Sequence, residues 1–173
     1  MKKNMGILII VFIFSVVVLG SVIISIGIRQ KTFTNDDFSI KYDTTWKKEK
    51  DKEGLKLKHK KSKAKFIVQT KILDDNYYST ELKDIIDDIV YSIEKQNSGY
   101  SLISVFESPS DKYDSYSYLY EDYSTQALVS IYKLDNKVII VYYEAENEYF
   151  DIVLDSVEAM LDSLVINVGE RLS

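Results

Sequence analysis

The chain has 173 residues and a formal net charge of −5, with 27 acidic against 22 basic side chains. It contains no cysteine, which excludes disulfides, thiolate metal sites and cysteine nucleophiles. A single proline and six glycines leave little material for a long flexible linker. The acidic balance also argues against nucleic acid as a partner.

The most distinctive segment is the apolar run of residues 6–28, which contains no charged side chain. A helix of these 23 residues, at about 1.5 Å rise per residue, crosses the roughly 30 Å hydrocarbon core of a bilayer. The pattern predicts a short N-terminal tail at 1–5 and a transmembrane helix at 6–28. We therefore expect the lipid bilayer to be the first partner of the chain.

A cleaved signal peptide is the alternative interpretation of this segment. Lys2 and Lys3 provide a positive start, and Leu19-Gly20-Ser21 is a conceivable cleavage site. The apolar run continues beyond that site and there is no Ala-x-Ala pattern, so retention as an anchor is favoured. An early span followed by one compact domain usually has its N-terminus in the cytoplasm. We expect a single-pass protein of the cell membrane with an extracytoplasmic C-terminal domain.

Charge is unevenly distributed along the rest of the chain. The segment 41–65 holds eleven lysines against four acidic residues, whereas 66–173 holds seven basic against twenty-one acidic residues. A lysine-rich block close to the anchor, followed by an acidic remainder, predicts a polarised molecule.

Three strands are predicted before the first helix of the soluble part. Apolar and polar residues alternate at 38–42 and again at 55–59, where the polar positions are lysines. A turn at 61–63 leads into a third strand at 64–73.

Two amphipathic helices are predicted from the spacing of apolar residues. The first has apolar residues at helical spacing over 82–93, a cap at Ser79 or Thr80 and a termination signal at 97–99. The second helix covers about 149–164.

Four further strands are predicted between the helices, at 101–107, 114–122, 125–134 and 137–145. Asp135-Asn136 joins the last two as a two-residue hairpin turn. The element order is β-β-β-α-β-β-β-β-α, which predicts an α+β sandwich in which amphipathic helices cover an antiparallel sheet.

The predicted organisation of the chain after the span is simple. A short linker at 29–36 is followed by one α+β domain at 37–168 and a tail at 169–173, and the C-terminal segment 165–173 either adds a short strand or trails off. A domain of this length can bury a sizeable core.

The element order and the first strand resemble the PsbP-like family, which includes the DcrB-like bacterial envelope proteins. The segment 37–42 followed by Trp46 is similar to the family's opening pattern F-x-[IF]-x-Y-P-x-x-W, although Asp43 stands where the family has proline.

The end of the domain is also similar to this family. The segment 138–145 resembles the family's closing strand, Phe150 its aromatic-led helix, and 160–164 its terminal pattern of a hydrophobic residue, x, Ser and Leu or Phe. The resemblance covers nearly all of 33–168. It implies a mostly non-enzymatic domain that binds other proteins, and no binding residue of the family carries over.

The lysine block is the first candidate binding site. A strand–turn–strand arrangement at 54–71 would place its lysines outward, where each contributes on the order of 1 kcal/mol near an anionic surface. A solvated edge strand that carries lysines against aggregation is the structural alternative. The predicted basic patch consists of Lys56, Lys58, Lys60, Lys61, Lys63 and Lys65.

A tyrosine face is the second candidate binding site. Tyr116, Tyr118 and Tyr120 alternate with smaller or aliphatic residues and therefore share one face of a predicted strand. Such a ladder is typical of a half-buried face beneath a helix. A contact surface for a protein or glycan is the functional alternative, because rigid amphipathic rings suit interfaces.

Candidates for catalysis and metal binding are weak. His59, the single histidine, shares a strand face with two leucines, which favours a place at the core edge over a role as a base. The acidic clusters at 74–76 and 144–148 lack the spacing of a calcium loop, which favours solvated loop charge. We predict no catalytic residue, no metal ligand and no cofactor.

The functional expectation is a membrane-anchored, extracytoplasmic, non-catalytic interaction domain. Its partner would be an envelope protein, or an anionic polymer or lipid of the surface. The alternative is an envelope hydrolase that uses carboxylates in a tyrosine-lined cleft.

Overall fold

The computed structural model describes residues 29–52, 54–73, 81–96, 99, 101–107, 115–134 and 136–167. The predicted tails at 1–5 and 169–173 and the predicted span at 6–28 lie outside these residues. So do Ser79, Thr80 and the acidic cluster at 74–76. Within the described part of the chain, neither helix combines the length and the apolar character that a bilayer crossing requires.

The described residues form ten strands and two helices. The first five strands are β1 (Gln30–Thr34), β2 (Phe38–Asp43), β3 (Trp46–Lys48), β4 (Gly54–His59) and β5 (Lys65–Ile72). The remaining elements are α1 (Leu82–Gln96), β6 (Ser101–Glu107), β7 (Ser115–Glu121), β8 (Thr125–Leu134), β9 (Lys137–Glu146), α2 (Asn147–Asp162) and β10 (Val165–Ile166).

The strands form two antiparallel sheets. The large sheet has seven strands in the order β3-β4-β5-β9-β8-β7-β6, and the small sheet has three in the order β1-β2-β10. The expected α+β class with an antiparallel sheet and two main helices is confirmed. The expectation of a single sheet is wrong, because the chain leaves the small sheet at the turn after Asp43 and enters the large one at Trp46.

Residues 29–36, which the sequence assigns to a linker, contain strand β1. Gln30 pairs with Asp43 at one end of β1 and Thr34 pairs with Ser39 at the other. The Phe33 ring packs against the ring of Phe38, with 5.5 Å between the two ring centroids. Phe33 is the only apolar residue of the segment, so no alternation of apolar and polar positions indicated a strand.

The two helices cover opposite sides of the large sheet. On one side, α2 and the small sheet enclose the larger core, and α1 packs over β7, β8 and β9 on the other side. The larger core includes Phe38, Ile40, Trp46, Leu55, Leu57, Phe66, Val68, Val141, Tyr143, Phe150, Val153, Val157 and Met160. The smaller core includes Leu82, Ile85, Ile86, Tyr118, Tyr120, Ala127, Val129, Ile131 and Val138.

Asp43 has a defined role at the point where the opening pattern of the PsbP-like family has proline. Its Oδ1 accepts the backbone N–H of Thr45 at 2.6 Å, and its Oδ2 accepts the hydroxyl of Ser156 at 2.9 Å. The Ser156 Oγ in turn accepts Nε1–H of Trp46 at 3.0 Å. A carboxylate can therefore fix this turn by hydrogen bonds instead of by the ring of a proline, and it ties the turn to α2.

For the elements predicted from the sequence, the observed boundaries agree with the predicted ones to within a few residues. The hairpin between β8 and β9 has the predicted register, with Leu134 opposite Lys137. The second helix begins and ends two residues earlier than predicted. On this helix Ile152 is 73% exposed, while the adjacent Val153 is buried.

Candidate functional site

The predicted basic patch lies on and beside the hairpin of β4 and β5. Leu55 and Leu57 of β4 are fully buried in the larger core. Because side chains alternate along a strand, Lys56 and Lys58 project from the opposite side of the sheet. That is the same side on which α1 covers β7–β9, but α1 does not reach β3, β4 and β5 in the packing of the described residues.

Five lysines share this uncovered part of the sheet, which we call the lysine face. It consists of Lys47, Lys56, Lys58, Lys65 and Lys71. Lys47 and Lys71 were not among the predicted site residues. The alternation of β5 at 65, 67, 69 and 71 could have indicated that Lys71 shares a face with Lys65. To place Lys47 on the same face, the register of the short β3 is needed.

Three members of the lysine face form a row across the strands. Lys47 lies directly opposite Lys58, and Lys58 lies directly opposite Lys65. All three are exposed. Like charges directly opposite each other destabilise a sheet, so this row lowers the stability of the fold.

Two lysines of the face form ion pairs with acidic side chains at its margins. Lys65 Nζ lies 2.6 Å from Glu144 Oε1, and the Tyr142 hydroxyl donates to Glu144 Oε2 at 2.5 Å. Lys56 Nζ lies 3.5 Å from Glu49. Among the described residues, Lys47 and Lys58 have no acidic partner, and this part of the row therefore carries uncompensated positive charge.

The other predicted lysines form a separate group, which we call the lysine turn. Lys60, Lys61 and Lys63 are exposed in the connection between β4 and β5. The connection is held by a hydrogen bond from the N–H of His59 to the carbonyl of Ala64, at 2.8 Å. Lys63 has a φ of 59°, a left-handed conformation that is uncommon for a side-chain-bearing residue. The structure thus divides the predicted patch into a flat face and a turn at its end.

His59 has a structural place in the lysine turn. Its Nδ1 accepts the N–H of Ser62 at 3.2 Å and lies 2.8 Å from the Ser62 hydroxyl. Its ring packs against the ring of Trp46, with 5.2 Å between the two ring centroids. Burial lowers the pKa of His59 below its usual 6.5, against the opposing effect of Asp43. These contacts match the expected place at the core edge.

The tyrosine face lies mainly beneath α1. Tyr118 and Tyr120 are 4% and 1% exposed, and only Tyr116 is half-buried. Burial raises the pKa of Tyr118 to about 12, with a further contribution from nearby Asp87. The rings of Tyr118 and Tyr120 therefore pack in the core, present no contact surface and do not line an open cleft.

Of the two acidic clusters, only residues 144–148 are described. Glu144 forms an ion pair with Lys65 and accepts a hydrogen bond from Tyr142. Glu146, Asn147 and Glu148 are exposed at the junction of β9 and α2. Within the described ranges, no three acidic or histidine side chains converge as a metal site would require.

Solved structures share this arrangement of sheets and helices. Cyanobacterial PsbP (CyanoP) from Synechocystis sp. PCC 6803 superposes with a TM-score of 0.64 at 14% identity, over 81% of this chain and 92% of that one. The chain has a PsbP-like fold. The sequence itself matches no protein-family model and no curated protein.

Two further solved structures that resemble this chain come from other bacteria. LpqN of Mycobacterium tuberculosis, which is involved in cell envelope biogenesis, has a TM-score of 0.59 at 5% identity, over 82% of this chain and 92% of LpqN. PA94 of Pseudomonas aeruginosa has a TM-score of 0.57 at 12% identity, over 82% and 99%. At these identities the likeness establishes the fold and leaves function to the site itself.

Proposed function

We propose that this PsbP-like domain is a non-catalytic interaction domain, held on the outer side of a bacterial cytoplasmic membrane by residues 6–28. Its lysine face binds an anionic component of the envelope, either a surface polymer or lipid or an acidic region of an envelope protein. The apolar run of the sequence supports the anchor. The occurrence of the same fold in LpqN, a protein of envelope biogenesis, supports the location.

The observation that carries the proposal is the row of opposed lysines. Lys47, Lys58 and Lys65 face each other across three strands, at the usual spacing of about 4.8 Å between strands. A single lysine would be enough to protect an edge strand, and β4 and β5 are interior strands of the sheet. Repulsion within the row weakens folding, whereas an anionic partner would relieve that repulsion.

The geometry favours binding over catalysis. The lysine face is a flat part of a sheet, and ammonium groups on it can attract anions without a general base or nucleophile at hand. Two of the three tyrosine rings expected to line a hydrolase cleft, Tyr118 and Tyr120, are covered by α1.

Binding of a defined polyanion by the full chain in neutral detergent micelles tests the proposal. Poly(glycerol phosphate), a phosphodiester polymer, is titrated into the protein at low salt. Replacement of Lys47, Lys58 and Lys65 by Gln should weaken binding at least tenfold, since each lysine contributes on the order of 1 kcal/mol near an anionic surface. At about 1 M salt the Debye length falls to about 3 Å, and binding should be lost.

A charge-matched control separates the lysine face from net charge. Lys41, Lys83 and Lys95 are exposed and lie outside the face. The K41Q/K83Q/K95Q variant changes the net charge equally and should bind nearly as the unaltered chain does. Equal weakening in both variants, or none in the first, would contradict a specific role for the lysine face.

A further inference from the structure

The chain enters the domain beside the lysine turn. Gln30 pairs with Asp43, and Asp43 Oδ1 accepts the N–H of Thr45 at 2.6 Å. The carbonyl of Thr45 accepts the N–H of Lys60 at 3.0 Å. These three contacts join the first residue of β1 to the first residue of the lysine turn.

The position of β1 within the fold supports the same juxtaposition. Lys48 Nζ of β3 lies 4.2 Å from the centroid of the Phe33 ring of β1. β1 therefore runs beside the β3 edge of the large sheet. The end of β1 at Gln30 lies toward the end of β3 at Trp46, which pairs with His59 at the start of the lysine turn.

Very little chain separates the apolar run from this corner of the domain. Only Arg29 lies between Ile28 and the start of β1, and two peptide units span at most about 7 Å. Five cationic residues are exposed at this corner, which we call the lysine corner: Arg29, Lys31, Lys60, Lys61 and Lys63. Arg29 and Gln30 thus lie within about one Debye length of Ile28, about 8 Å at physiological ionic strength, and the three contacts above link Gln30 to the lysine turn.

We propose that the lysine corner contacts the anionic phospholipid headgroups of the membrane in which the chain is anchored, and that this contact sets the orientation of the domain. The proposal rests on the anchor of the proposed function. Three lysines of the turn favour the contacting orientation by about a hundredfold at low salt, from about fivefold for each. The lysine face belongs to the sheet surface beyond this corner, so it stays available to a second anionic partner.

The absence of cysteine from the chain allows single-cysteine labelling. A spin label at Thr44→Cys reports on the lysine corner, and one at Val165→Cys reports on the other end of the small sheet. Val165 pairs with Ser39, four residues along β2 from Asp43, or about 14 Å. The full chain is reconstituted in phosphatidylcholine bilayers with or without phosphatidylglycerol, and relaxation by a headgroup-bound nickel chelate is measured.

The corner label should relax more strongly in bilayers that contain phosphatidylglycerol, and the label at position 165 should relax weakly in both. K60Q/K61Q/K63Q should remove the effect of phosphatidylglycerol. K50Q/K52Q/K83Q, which removes three exposed lysines elsewhere, should preserve it. Raising the salt to about 1 M should also remove the effect.

Two results would overturn the proposal in different ways. Equal relaxation of the corner label in both bilayers, or an effect that survives K60Q/K61Q/K63Q, would refute headgroup contact and leave the anchored domain in place. Extraction of the unaltered chain from the bilayers by alkaline carbonate would refute the anchor itself, and the lysine corner with it.

Discussion

Lys58 of β4 lies directly opposite Lys65 of β5, and both side chains project from the part of the sheet that α1 leaves uncovered. Lys47 continues the row on the other side of Lys58. A sheet that needed only stability would place opposite charges or β-branched residues at such positions. The row is therefore the observation on which the proposed binding role of this surface rests.

Replacement of Lys58 by Thr should stabilise the domain. The change removes two like-charged cross-strand pairs and introduces a good strand former, so the free energy of unfolding should rise by about 0.5–1 kcal/mol. Urea unfolding of the full chain in detergent can be followed by the fluorescence of Trp46, the single tryptophan, which is 1% exposed. Lys41→Thr controls for strand propensity, since Lys41 lies opposite Thr32. A gain no larger than that of the control would argue against repulsion in the row.

The ion pair between Lys137 and Asp37 should give the domain a specific dependence on acid. The side-chain hydrogen bond from Lys137 lowers the pKa of Asp37 below its ordinary value of 3.8. The pair therefore contributes stability above pH 3.8, and this contribution is lost as the pH falls through the lowered value. Asp37→Asn should reduce stability at pH 7 by about 1 kcal/mol or less, and the reduction should shrink as the pH falls below 3.8.

Asp36 provides the control for this pH dependence, because it is an exposed neighbour with the same carboxylate. Thermal unfolding of Asp36→Asn, Asp37→Asn and the unaltered chain is compared across the acid range. A deficit of Asp37→Asn that persists undiminished at the lowest pH would mean that the ion pair is not its cause.

Ser156 should be required to satisfy the buried indole of Trp46. Its hydroxyl accepts Nε1–H of Trp46 and donates to Asp43, so Ser156→Ala leaves a buried donor without its acceptor. The cost should be about 1–3 kcal/mol in the free energy of unfolding. Asp155→Ala, at an exposed position of the same helix, should change stability by no more than about 0.5 kcal/mol. Similar values for both variants would show that the network contributes little.

The tyrosines should divide into protected and reactive groups. Tyr123 is fully exposed in the turn between β7 and β8, whereas Tyr118 and Tyr120 are covered by α1. Nitration by tetranitromethane followed by peptide mapping should modify Tyr123 first and leave Tyr118 and Tyr120 intact. Because burial raises the pKa of Tyr118 to about 12, its ionisation should favour unfolding as the pH rises above 10. Early nitration of Tyr118 would show that α1 does not cover it.

Much of the fold follows from periodicity in the sequence. The alternation at 55–59 and the helical spacing at 82–93 each depend on one buried face, and both appear in the structure. Strand β1 escaped prediction because its burial depends on Phe33 alone, packed against a ring and a lysine from other strands. Local pattern carries no information about such a contact.

The candidate site was predictable in part. The concentration of lysines at 41–65 indicated positive charge, but alternation along one strand cannot show which lysines face each other across strands. The opposition of Lys47 to Lys58 and the separation of the lysine turn from the lysine face depend on register. Whether Tyr118 and Tyr120 are buried or form a contact surface depends on where α1 packs, which is a tertiary property.

The central claim is that the domain is displayed on the outer side of the membrane, and labelling of intact cells tests it most directly. Tyr123→Cys places one exposed thiol in a chain that has no other. A membrane-impermeant maleimide should label this protein in intact cells whose wall has been removed, and the labelled protein should stay in the membrane at alkaline pH. Labelling only after the membrane is permeabilised, or release of the labelled protein into the medium, would contradict the account.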